Sequence, residues 1–64
     1  MLRNLKKIRI EKGFTLKELS VKTNISTTYL SDLENLNRKS PSYKIMEKLT
    51  KELNKNIEEL EGRY

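Results

Sequence analysis

The sequence predicts an all-α protein, a compact bundle of five short helices. Three observations carry that expectation. Apolar residues recur at intervals of three and four along the chain, the spacing of one helix face. Most of these stretches open on a residue that caps helices and close on Gly or Asn. With one Pro, two Gly and 36% charged residues among 64, the composition fits helices joined by short connections. Residues 1–64 are expected to form a single domain, with 61–64 a tail prone to fraying, since a chain of this length has room for one small core.

The first helix reads from Leu2 to Lys12, with Leu5 and Ile8, and Leu2 before them, on the inner face at three-residue spacing. Gly13 supplies a left-handed stop, and Phe14 is placed to tuck under the next helix as a staple. Thr15 opens the second helix. Its hydroxyl can cap while Glu18, three residues on, reaches back to the cap amide. Leu16 and Leu19 follow at helical spacing, and the pattern stops at Thr23-Asn24, where Asn tolerates the left-handed conformation that ends a helix.

Ile25 is an apolar plug, and Ser26 can cap a third helix. Leu19, Ile25, Leu30 and Leu33 are expected in the core, with Val21 and Ile10 exposed. Tyr29 lies between faces, open both to packing and to a phosphate. The outer face of this helix shows Thr27, Thr28, Ser31, Asp32 and Asn35. Two short helices joined by a four-residue turn, the second with a small polar outer face, make a helix-turn-helix at helices two and three.

Beyond a basic connector, Leu36 to Ser40, a fourth helix is expected, capped by Ser42 or by Ser40 with Pro41 in its first turn. Tyr43, Met46, Leu49 and Leu53 form its inward stripe, with Ile45 off it, and Asn54 marks its end. Asn56 and Glu59 repeat the capping-box spacing for a short fifth helix, where Ile57 and Leu60 face inward.

The run Thr-x-x-Glu-Leu-Ser-x-x-Thr-Asn-Ile-Ser-x-x-Tyr-Leu-Ser-x-Leu-Glu-Asn, from Thr15 to Asn35, resembles the phage repressor and Cro-type helix-turn-helix family, also called XRE. The resemblance extends from Leu5 to Leu60 and takes in Ile8-Arg9, Lys12 to Thr15 and Pro41-Ser42. It implies sequence-specific binding of double-stranded DNA, with helix three in the major groove, by a transcriptional regulator, most often a repressor. By that resemblance Ser26, Thr27, Thr28 and Asp32 match base-contacting positions. Thr and Ser can contact either base type, Thr methyls can touch thymine methyls, and Asp32 can accept from a cytosine amino group. Thr15, Leu16 and Lys17 would offer a phosphate the amides and dipole of a helix N-terminus. Leu16 stands where many relatives carry Gln, so only its backbone part transfers. Lys17, Tyr29, Asn35, Arg38 and Lys39 are the further candidates for phosphate contacts, which fix register without reading sequence.

The resemblance also pairs Arg9 with Glu34 as a partly buried structural ion pair. It places Ser20 where relatives usually have Ala, letting helices two and three approach closely. At position 36 many relatives leave the third helix through Gly. A left-handed Leu36 would be strained by about 1 kcal/mol, so Asn35 or Asn37 is the expected substitute.

The net charge is +5. Residues 1–44 hold ten Lys/Arg and four Asp/Glu, a net +6, against −1 for residues 45–64. On that division the excess cation goes with the helix-turn-helix, as binding to a polyanion requires. Cys and His are absent, which removes disulfides, thiolate metal sites and the commonest general base. With no glycine-rich phosphate loop and no apolar cleft to hold a carboxylate pair, no enzyme activity, cofactor, metal or small-molecule ligand is expected. The start, MLRNLKK, lacks the apolar segment of a signal peptide, and no run approaches a membrane span, so the expected location is the cytoplasm.

The rival function is a protein-interaction module on the same fold. Asp32 keeps it open, because a carboxylate on the outer face of helix three repels phosphate. A short recognition helix spans only a few base pairs, so a weak homodimer on a palindromic operator is expected. Its surface is placed at the C-terminal region around Ile57, Leu60 and Tyr64, with the alternative that Ile57 and Leu60 complete the monomer core.

Overall fold

In the computed structural model, which describes residues 2–36 and 41–62, five helices are built around one cluster of aliphatic side chains. They are α1 (Leu5–Glu11), α2 (Leu16–Thr23), α3 (Thr27–Glu34), α4 (Tyr43–Leu53) and α5 (Ile57–Glu61). Leu2, Leu5, Ile8, Leu19, Ile25, Leu30, Leu33, Leu49, Leu53 and Leu60 are all buried together. Burying such side chains is the main favourable term for a chain this small. Among the described residues no helix is long and apolar enough to cross a membrane.

Local chemistry sets the helix ends. The Thr15 hydroxyl accepts from the Glu18 amide at 3.0 Å while the Glu18 carboxylate accepts from the Thr15 amide at 2.8 Å. Asn56 and Glu59 repeat the arrangement at α5, and Ser26 and Ser42 cap α3 and α4 through single hydroxyl contacts. Gly13, Asn24 and Asn54 all take the left-handed conformation where their helices stop. Backbone donation from Thr15 and from Asn56 holds the carboxyls of Glu18 and Glu59 below the usual carboxylate range. Of the two caps weighed for α4, Ser42 fills the role.

Four expectations need correction. The first helix is shorter than Leu2–Lys12: it begins at Leu5, and Leu2 is buried from the turn that precedes it. At α4 the inward stripe is Ile45, Met46, Leu49 and Leu53, whereas Tyr43 is 77% exposed. Tyr43 occupies the first helical position, before the helix has reached the core, so its three-residue spacing from Met46 carries no packing. Leu60 is wholly buried and Ile57 is 36% exposed, so Leu60 belongs to the monomer core and is not available to a partner. Tyr64 lies outside the described residues.

The fourth correction concerns the exit from α3. Leu36 itself is left-handed, at φ 60°, while Asn35 stays at φ −89°. The Asn35 amide still donates to the Ser31 carbonyl at 2.9 Å, which keeps Asn35 in the helical pattern. The first residue free to reverse the chain is therefore Leu36, strained as a β-carbon-bearing residue is there. Its side chain is 39% exposed and does not join the core cluster. Leu36→Asn is accordingly expected to raise the unfolding free energy by about 0.5–1 kcal/mol. A thermal melt checks this, and an unchanged or lowered midpoint would show that no strain is being relieved.

One tie not anticipated from the sequence joins the ends of the fold. The Asn4 backbone amide donates to the Leu60 carbonyl at 2.9 Å, and its side-chain amide donates to the Glu59 carbonyl at 3.2 Å. Two of the carbonyls that α5 leaves open at its C-terminus are satisfied in this way. Gly62, left-handed at φ 73°, makes room: a β-carbon there would lie 3.3 Å from the Asn4 side-chain nitrogen.

Candidate nucleic-acid interface

The pair α2 and α3 is fixed as a unit by contacts at both ends. At the turn, the Ser20 hydroxyl donates to the Ile25 carbonyl, so this small residue ties the helices together as well as letting them approach. The buried Thr23 hydroxyl donates to the Leu19 carbonyl at 2.7 Å, so its polar atom does not go unpaired. Neither contact was read from the sequence. Both depend on a turn geometry that only the folded chain defines.

At the far end of α3, Arg9 grips Glu34. Its Nε lies 2.6 Å from one carboxylate oxygen and its Nη2 lies 3.3 Å from the other. Its remaining Nη1 donates to the Phe14 carbonyl at 2.8 Å. One guanidinium thus links α1, the lead-in to α2 and the last turn of α3, with side-chain exposures of 11% and 6% for the two partners. Arg is suited to this role because its planar fork meets a carboxylate through two parallel bonds and keeps a third donor direction.

The residues expected to read bases are presented as follows. Ser26, Thr27 and Thr28 are exposed at the start of α3, and Asp32 is half-buried one turn beyond Thr28. Thr28, Asp32 and Asn35 fall at i, i+4 and i+7, on one helix face. Asn35 is exposed, and its side-chain amide donates to the Ser31 hydroxyl at 3.3 Å. Tyr29 is half-buried and packs against the core, which places its ring body with the interior.

At the N-terminus of α2, Thr15 and Lys17 are exposed, and the Leu16 side chain packs against the core. The Thr15 amide is already committed to Glu18. The expected trio of open amides therefore reduces to those of Leu16 and Lys17. Arg38 and Lys39 lie outside the described residues.

The charge map corrects the sequence reading. Residues 15–36, the helix-turn-helix proper, carry Lys17 and Lys22 against Glu18, Asp32 and Glu34, a net −1. The cationic excess lies on either side: residues 1–12 carry a net +4 and residues 37–44 a net +3.

A family model described as helix-turn-helix matches residues 5–60 of the chain, which takes in all of α1 to α4 and most of α5. The searches of curated proteins and of solved structures found no match.

Proposed function

This chain belongs to the helix-turn-helix family of DNA-binding transcription regulators, and from that premise we propose that it is a repressor reading double-stranded DNA through α3. The supporting observation is the exposed, polar start of α3, Ser26 to Thr28, on a helix held from behind by Leu30, Leu33 and the Arg9–Glu34 pair. A helix fixed so firmly on its inner side can offer an outer face to base edges without losing its geometry. In this reading Ser26, Thr27, Thr28 and Asp32 meet bases, and such small side chains leave part of the specificity to DNA shape. The amides of Leu16 and Lys17 with the Lys17 side chain, together with Asn35, Arg38, Lys39 and the Tyr29 hydroxyl, hold phosphates. A weak homodimer, tightened on a palindromic operator, sets two copies one helical turn apart, with Ile57 and Tyr64 as its candidate contacts.

Selecting bound sequences from a random duplex pool tests the reading, and a symmetric pair of half-sites is the expected result. No enrichment, with no gel shift at low salt, would favour the protein-interaction module instead. Affinity should also fall steeply with salt, by about 0.9 in log–log slope per phosphate neutralised. The division between reading and holding gives a sharper expectation. Asp32→Ala should alter base preference at one position by about 1–3 kcal/mol, while Lys39→Ala weakens all sequences alike. Competition titrations across single-base variants of the selected site measure both. Uniform tightening by Asp32→Ala would mark that carboxylate as a repulsive charge and not a reader.

A further inference from the structure

We propose that the outer edge of α1 and its lead-in turn, formed by Arg3 and Lys6 beside Ile10, is a second, sequence-independent surface for a nucleic-acid phosphate backbone. This rests on the DNA-binding reading above and extends it to an element outside the helix-turn-helix.

Four observations carry it. The first is where the charge lies: residues 15–36 are net −1, and the largest cationic block is residues 1–12, at +4. The second is how those cations are used. Arg9 turns inward to Glu34, and Lys12 lies close enough to Glu59 to help hold that carboxyl down. Arg3, Lys6 and Lys7 remain exposed, and no ion pair engages any of them among the described residues.

Third, α4 and the residues after it mix the two signs more closely: Glu47 and Glu52 lie among Lys44, Lys48 and Lys51, and Lys55 pairs with Glu59 at 3.3 Å. On α1 the one carboxylate is Glu11, which shares a groove with Lys7, Lys55 and Glu59 and leaves the Arg3–Lys6 edge unopposed. Fourth, Ile10 stands 57% exposed one turn beyond Lys6, giving this edge an apolar centre able to rest on a sugar. Arg3 in the lead-in turn and Lys6 in the first turn of α1 carry like charges only three residues apart, which repel one another in the free protein. A duplex backbone would relieve that repulsion while releasing its own counterions.

The test compares two variants that lose the same charge from different places. One is Arg3→Gln with Lys6→Gln; the other is Lys48→Gln with Lys51→Gln. Each is measured against a random duplex over a range of salt concentrations, with thermal melts confirming that both fold. The α1 variant is expected to lose roughly five- to tenfold in affinity at low salt and to flatten the log–log salt slope by about 1–2. The α4 variant should lose less than about twofold, and the preference of the α1 variant for a selected site over random duplex should be unchanged. Equal losses in the two variants would assign the effect to net charge and overturn the surface, as would wild-type binding by the α1 variant. Failure of the wild-type chain to bind any duplex at low salt would instead overturn the DNA-binding reading itself, and this proposal with it.

Discussion

Arg9→Ala is expected to lower the unfolding free energy by about 3–5 kcal/mol, the cost of stranding one partner of a buried ion pair. Glu34 would be left at 6% side-chain exposure without its two guanidinium contacts, and the Phe14 carbonyl would lose its donor. A domain of 64 residues has roughly 3–10 kcal/mol in all. The variant should therefore be largely unfolded or close to its midpoint at room temperature. Replacing both partners, Arg9→Met with Glu34→Leu, should recover much of the loss, because a well-packed apolar pair avoids the desolvation cost. Urea titrations of the single and double variants measure this. A single-variant cost under about 1 kcal/mol would mean that water reaches the pair and screens it.

Leu60→Ala should cost about 2–5 kcal/mol, the range for truncating a fully buried leucine. The loss reaches beyond the cavity. α5 has only five residues, and apart from Leu60 it is held through the two donations from Asn4 and its packing on α1 and α4. A helix that short does not persist on its own propensity, so losing the anchor should release the whole turn. Ile57→Ala, at a site 36% exposed, should cost under about 1 kcal/mol. The contrast separates core from partner surface. Sedimentation of Ile57→Ala with and without operator should show a weakened dimer if that residue meets a second copy. An undiminished dimer, with stability equally intact, would remove Ile57 from the interface.

Much of the fold was legible because helix ends are written in residues close together in sequence. Thr15 with Glu18, Asn56 with Glu59, and the left-handed Gly13, Asn24 and Asn54 each act over three or four positions, so local spacing suffices. Tyr43 and Ile45 were misplaced for a complementary reason. Periodicity says which residues share a face, but not where along a helix the neighbouring elements begin to cover it. Leu36 was misjudged because propensity argued for Asn, while the hydrogen bond from Asn35 to Ser31 left the reversal to the next residue. Ser20 to Ile25 and Asn4 to Glu59 join residues whose nearness is a product of the fold, and no pattern in the sequence announces them. The outer face of α3 was equally legible as a polar stripe.

Along α3, the residues that keep the helix in place and those that face outward are almost separate sets. Leu30, Leu33 and Glu34 look inward, so exchanges at Thr27 and Thr28 leave the interior untouched. Ser26 is the exception. Its hydroxyl accepts from the Tyr29 amide and so starts the helix that it is also proposed to help read with. In the proposed reading, the two threonines can drift over evolutionary time toward new target sequences at little cost to the fold. Position 26 is confined to the few side chains that still cap a helix, Ser, Thr, Asn and Asp above all, so new specificities should be reached through its neighbours first.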